Sequence, residues 1–247
     1  KVRVGILYNE PPFGELNVRG EQTGFDADLA RSIADAWGVT IEFVQATRQT
    51  GIELVANGDI DLLIAAQPHL RELDNRVEFS QSYYPSTQVL LVRNGDGATV
   101  LGHMADRKIG IVMGTRGELA VADWEMRSDY TFSVTRYPTL DRALAALMTN
   151  EIDGVVDNYV RVQRTIRFQA ENFRFVDEPV LSEPYAIALQ RQDVNLRNLV
   201  NRTLQYLYAN GRLNELHQAY FEGAVYPGST FVTWTNIGDE APKPANF

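Results

Sequence analysis

Apolar residues recur along this chain in two alternating rhythms. Val2, Val4 and Ile6 alternate with other residues at period two and predict a strand. Phe25, Leu29, Ile33 and Trp37 then recur at helical spacing, with Thr23 and Asp26 placed to cap the helix start. A strand over 41–44, a short helix over 51–56 and an apolar strand over 62–65 follow. The order then repeats: a strand over 108–112, a helix over 117–126, a strand over 130–137, a helix with Leu140, Ala143, Leu144 and Leu147 on one face, and a strand over 154–156. Strands and helices alternating in this way predict an α/β fold of mostly parallel sheets covered by helices.

The repetition extends to residue types. Asn57-Gly58-Asp59-Ile60-Asp61-Leu62-Leu63-Ile64 closes one helix and opens a strand, and Asn150-Glu151-Ile152-Asp153-Gly154-Val155-Val156 does the same later. Val4-Gly5-Ile6 likewise corresponds to Ile109-Gly110-Ile111. Two copies of one supersecondary unit indicate two similar lobes rather than a solenoid, with chance similarity of two αβ units as the alternative. The strand around 90–93 runs into the Gly-rich turn 94–97, and a second crossover strand over 183–189 leads into amphipathic helices through Leu196, Leu199, Val200, Leu204, Leu207, Leu213 and Leu216. These features divide the chain into a first lobe of 1–90 plus 188–225, a second of 91–187, and an extended tail over 226–247 punctuated by Pro227, Gly228, Gly238, Pro242 and Pro244. Two strands joining two lobes make a hinge. Open α/β sheets bind ligands beyond their strand carboxyl ends, so the expected site is the interlobe cleft, lined by the loops after Leu7, Ala65, Val112 and Val156.

Composition narrows the chemistry. The 247 residues carry a formal charge of −9, which disfavours nucleic acid and anionic lipid surfaces as partners. Cysteine is absent, so disulfides, thiolate metal sites and cysteine nucleophiles are excluded. His69, His103 and His217 are scattered without the i, i+4 spacing of a helical zinc site. There is no Gly-x-Ser-x-Gly elbow and no Gly-Lys-Ser/Thr phosphate loop. Catalytic and metal readings therefore find little support from the residues, and no cofactor is expected. No apolar run reaches the length of a membrane span. An opening in mid-strand is expected of a trimmed or mature product whose targeting segment is not part of the sequence.

The ordered motifs Pro11-Pro12-Phe13, Gly24-Phe25-Asp26-Ala27-Asp28-Leu29, Gly58-Asp59-Ile60-Asp61, Phe79-Ser80 with Tyr83-Tyr84, Ile109-Gly110-Ile111-Val112 with Gly114-Thr115, and Ile152-Asp153-Gly154-Val155-Val156-Asp157 span about residues 1–222. In that order they resemble the family 3 extracellular solute-binding proteins, the polar amino-acid receptors of bacterial ABC importers. The resemblance implies a bilobal type II periplasmic-binding fold, with two doubly wound lobes that close over one small ligand. It implies a setting outside the cytoplasmic membrane, periplasmic or extracellular with or without a lipid anchor, a permease as partner, and action as a monomer. In such a site an Arg forks onto the ligand carboxylate, a helix start assists, a carboxylate holds the ammonium and an aromatic covers the side chain.

Carried onto this sequence, the resemblance matches Phe13 and Thr115. The second-lobe carboxylate is Asp157 by downstream spacing or Asn158 by ungapped count. The serine-rich turn of the family becomes Ala65-Ala66-Gln67-Pro68, and its carboxylate-binding Arg falls on Leu73; Arg71 and Arg76 are close in sequence, and the replacement is either Arg71, from a shifted turn, or Arg48. Arg48 and Glu10 fall at or near positions where aromatics are common. The expected ligand-binding set is Glu10, Phe13, Arg48, Ala66, Gln67, Arg71, Thr115, Arg116, Asp157 and Asn158, suited to an amino acid or modified amino acid. Asp26 and Asp61 are assigned to structure. Two alternatives stand beside transport: a sensing domain of a membrane receptor, and an enzyme on the same fold of the cyclic-acid dehydratase type.

Overall fold

The computed structural model describes residues 1–222, and the chain divides into two units. The first unit holds Lys1–Pro85 and the described residues from Pro184 onward, and the second holds Ser86–Glu183. The expected tail over 226–247 lies outside the described residues.

The first unit opens with β1 (Val2–Ile6), then β2 (Asn9–Glu10), β3 (Gly14–Leu16) and β4 (Gln22–Thr23). The last three form a small antiparallel sheet. The sequence pattern reads this stretch as a long loop, because strands of two and three residues are too short to show alternation. Next come α1 (Phe25–Trp37), β5 (Ile41–Gln45), α2 (Gly51–Ala56), β6 (Leu62–Leu63) and β7 (Val77–Arg93). β1 lies between β5 and β6, parallel to both, with Gly5 opposite Val44 on one side and Leu63 on the other. The four apolar positions expected on α1 are all buried. The expected caps do not form: Gly24 occupies the cap position without a side-chain bond, Thr23 belongs to β4, and Asp26 turns into the core. β6 ends at Leu63 rather than at 65, because the chain bends away through Ala66, whose φ is 45°.

The second unit continues along β7 into β8 (Lys108–Val112), α3 (Arg116–Arg127), β9 (Ser133–Tyr137), α4 (Leu140–Met148), β10 (Gly154–Asn158), α5 (Tyr159–Ile166), β11 (Phe173–Phe175) and the start of β12 (Leu181–Gln190). β8 lies between β10 and β9, parallel to both, while β7 runs antiparallel to β10. β9 begins three residues later than the pattern suggests, because the ring of Phe132 packs on Trp124 of α3 and the Tyr130 hydroxyl accepts from its indole N–H. Leu90, Ile109, Val121, Trp124 and Val156 share one core cluster, and Leu91, Leu144, Val155, Val162 and Ile166 share another. After β12 the chain ends the described part in the first unit with α6 (Val194–Ala209) and α7 (Arg212–Phe221). The Trp37 indole donates to Thr203 Oγ1 at 2.8 Å, fastening α1 to α6.

The duplicated signature has a physical cause in both units. A Cβ on Gly5 would lie 2.4 Å from Ile60 Cδ1, and one on Gly110 would lie 2.4 Å from Ile152 Cδ1. Each central strand thus needs glycine where the isoleucine of the second motif lies across it. The aspartate after that isoleucine closes the strand start. Asp61 accepts from the Arg3 backbone N–H at 2.7 Å, and Asp153 accepts from that of Lys108 at 2.9 Å. The structural role expected of Asp61 is this bond, reinforced by the Arg3 guanidinium.

Candidate functional site

In each unit three adjacent parallel strands end together, and the chain leaving them carries most of the candidate residues. In the first unit these are the segments after β1, β5 and β6. Glu10 lies in β2 opposite Gly14, and its carbonyl accepts from the Phe13 N–H at 2.8 Å. Arg48 lies in a turn held crosswise by two threonines, where Thr47 N–H donates to Thr50 Oγ1 and Thr50 N–H donates to Thr47 Oγ1, both at 3.1 Å. The two side chains meet in an ion pair of 2.9 Å, with only 23% of Arg48 and 18% of Glu10 exposed.

Asp26, fully buried, feels the charge of both members of that pair. Its carboxyl accepts from the Ala66 N–H at 2.7 Å and from the Tyr83 hydroxyl at 3.0 Å. Burial pushes its pKa up to about 7 against the pull of these two bonds, and Glu10 adds to the rise while Arg48 opposes it. The bond to Ala66 fixes the turn after β6, so the Ala66 N–H already has a partner inside the unit. Gln67 is half-buried, and its side-chain amide donates to the Pro68 carbonyl at 2.9 Å.

Phe13 is 2% exposed and contacts Tyr84, Tyr185, Phe25 and Phe221, so its ring is part of the core. Leu73 packs against the cluster that includes Ile52 and Val55, which accounts for an apolar residue there. Arg76 pairs with Glu53. Arg71 opens a short 3-10 turn, Arg71–Leu73, and is exposed, and its side chain makes no hydrogen bond or ion pair among the described residues.

In the second unit the start of α3 packs against the end of β10. A Cβ on Gly117 would lie 2.7 Å from the Val156 carbonyl oxygen and 3.3 Å from Asp157 Cα. This approach brings Thr115 and Arg116 to the strand end that carries Asp157 and Asn158. The Thr115 hydroxyl donates back to the Val112 carbonyl at 2.8 Å and does not cap the helix. Arg116 forks onto Glu183, its Nε donating to Oε2 at 3.0 Å, and both side chains are nearly buried.

The two readings of the β10 end separate by role. Asn158 caps α5, its Oδ1 accepting from Val160 and Arg161 N–H at 3.1 and 3.4 Å, and its Nδ2 donates to Ser86 Oγ at 3.1 Å. Asp157 is 1% exposed and pairs with Arg161 at 3.2 Å. Neither Arg161 nor Glu183 is among the expected residues. Arg161 is announced by its i, i+4 spacing from Asp157 at a helix start. Glu183 lies 67 residues from Arg116, and nothing local marks it. Among the described residues no cluster of three or more His, Cys, Asp or Glu is arranged to hold a metal ion, and no helix is long and apolar enough to cross a membrane.

A sequence model of the bacterial extracellular solute-binding proteins, family 3, matches residues 2–223. The ABC transporter glutamine-binding protein GlnH of Bacillus subtilis is 26% identical over 227 residues, covering 90% of this chain and 81% of that protein. An ancestral arginine-binding protein solved with arginine has a TM-score of 0.70 at 27% identity, covering 89% of this chain and 97% of its own. An ancestral amino-acid-binding protein, a precursor of cyclohexadienyl dehydratase, shares the fold with a TM-score of 0.69 at 24% identity, covering 89% and 94%.

Proposed function

Since the chain belongs to the bacterial extracellular solute-binding proteins, family 3, we propose that it binds one small amino acid or modified amino acid and delivers it to the permease of an ABC importer. The observation that supports this reading is one charge of each sign, one in each unit, Arg71 in the segment that leaves β6 and Asp157 at the end of β10. Arg71 of the first unit is exposed with no partner among the described residues, and Asp157 of the second unit sits at the end of β10 beside the start of α3. Arg71 takes the ligand carboxylate as a fork. Asp157 takes the ammonium, exchanging part of its bond with Arg161, while Asn158 holds α5 in place. The first turn of α3 adds N–H donors and the positive end of the helix dipole. Glu10 and Arg48 meet the side chain of the ligand.

In this reading the protein is a receptor and not an enzyme, so the ligand leaves chemically unchanged. It works as a monomer in the periplasm or at the cell surface, free or lipid-anchored. Contacts made only in the ligand-bound conformation favour that conformation, and the permease reads it.

A thermal-shift screen with the proteinogenic amino acids, ornithine, citrulline, polyamines and small organic acids tests the proposal. A ligand present at about one hundred times its Kd adds about 2.7 kcal/mol of stability. At least one α-amino acid is expected to raise the transition, and Asp157→Ala is expected to abolish the rise. Arg71→Ala is expected to weaken the free acid more than its amide. No shift with any amino acid would overturn the proposal.

A further inference from the structure

We propose that Glu10 and Arg48 form a charge-compensated subsite that selects amino acids whose side chain is neutral and ends in both a donor and an acceptor, an amide or a ureido group. This rests on the reading above, in which the ligand side chain meets these two residues.

Both side chains stand on fixed backbone. Glu10 is held by the β2–β3 pairing and by the turn closed through Phe13 N–H, and Arg48 by the crossed threonine bonds of its loop. The two hold each other in an ion pair of 2.9 Å and remain in part accessible. Asp26 is fully buried with both carboxyl oxygens engaged, so it presents no further charge at the surface.

The ion pair itself therefore has one positive and one negative end and no net charge. A cationic side chain drawn to Glu10 meets the guanidinium beside it. An anionic one drawn to Arg48 meets the carboxylate. A neutral amide or ureido group avoids both penalties, and its carbonyl accepts from the guanidinium while its N–H donates to the carboxylate. A guanidinium presents N–H donors and a carboxylate presents acceptors, so each end of the pair has the polarity to match one end of an amide. Polar groups buried against such a subsite without matching partners are rejected strongly, which gives the discrimination its strength.

Isothermal titration calorimetry with two near-isosteric pairs, L-glutamine against L-glutamate and L-citrulline against L-arginine, tests this. The unsubstituted protein is expected to prefer the neutral member of each pair by about tenfold or more in Kd. In Arg48→Gln the carboxylate loses its counterion, and arginine is expected to gain on citrulline by about tenfold. In Glu10→Gln glutamate is expected to gain on glutamine by a similar factor. If either variant fails to fold, the ratios of the unsubstituted protein decide alone. Arginine or glutamate binding as tightly as its neutral counterpart, or ratios unmoved by both substitutions, would overturn the inference. Heat with none of the four, together with binding of another amino acid, would overturn the inference and leave the proposed function standing. Heat with no amino acid would overturn both.

Discussion

Replacing Asp26 by asparagine is expected to unmask a pH dependence of stability in the first unit that two opposing groups cancel in the wild type. Two buried groups there pull in opposite directions. Burial raises the Asp26 carboxyl from 3.8 to about 7, and burial lowers the His217 imidazole from 6.5 to about 4. Between those limits the folded chain keeps a proton on Asp26 that the unfolded chain has released. Stability from this source is present below the unfolded pKa and falls as pH rises, by ~4 kcal/mol across the whole window. His217 does the reverse. The unfolded chain takes up a proton that the folded chain refuses, so stability from this source is lost as pH falls, by ~3 kcal/mol across its window. From about pH 4.5 to about pH 6 both groups act at nearly full slope, and the wild-type profile is nearly flat. The Asp26→Asn substitution keeps the local bonds: the new side-chain carbonyl accepts from Ala66 N–H, and the new amide donates to the Tyr83 hydroxyl, which is both donor and acceptor. Only the titration is removed. Urea titrations of Asp26→Asn are expected to show stability rising by ~2 kcal/mol over that interval, and those of His217→Phe a fall of similar size. Amide exchange in β1 and α1 reads the first unit separately from the second. A profile for Asp26→Asn that overlays the wild type would refute the reasoning.

Other expectations concern the second unit. Glu183→Ala leaves the nearly buried Arg116 guanidinium without its carboxylate and is expected to destabilise the unit by ~3 kcal/mol in thermal unfolding, with Glu183→Gln milder. Gly110→Ala is expected to cost ~2 kcal/mol through its clash with Ile152 Cδ1, and adding Ile152→Val, which removes that atom, to restore part of the loss in a double-mutant cycle. Asn158→Ala is expected to cost ~1 kcal/mol by removing the α5 cap, seen as faster amide exchange at the start of that helix.

Much of the architecture is legible in the sequence because it is written in local period. The α1 positions Phe25, Leu29, Ile33 and Trp37 are all buried, and the glycine–isoleucine motif recurs because one steric requirement is met twice. Where the reading falls short, the deciding contact is distant. Asp26 reads as a helix cap, yet its partners are Ala66 and Tyr83, 40 and 57 residues away. The small β2–β3–β4 sheet has strands too short for any period to register. At the candidate site the residue types are legible and their pairings are not. Phe13 follows two prolines in a loop and yet serves the core, while Glu10 and Arg48, far apart in sequence, compensate each other. Arg161 alone among the unexpected partners carries a local signal, its helical spacing from Asp157.

In the proposed function this chain holds one α-amino acid by its carboxylate and its ammonium together. Calorimetric titration of the tightest amino acid from the screen, beside its N-acetyl and α-amide derivatives, separates the two anchors. One site per chain is expected for the free amino acid, with affinity lowered by about a hundredfold or more for each derivative, since each loses one charge-assisted anchor. Derivatives that bind as tightly as the free amino acid would contradict it.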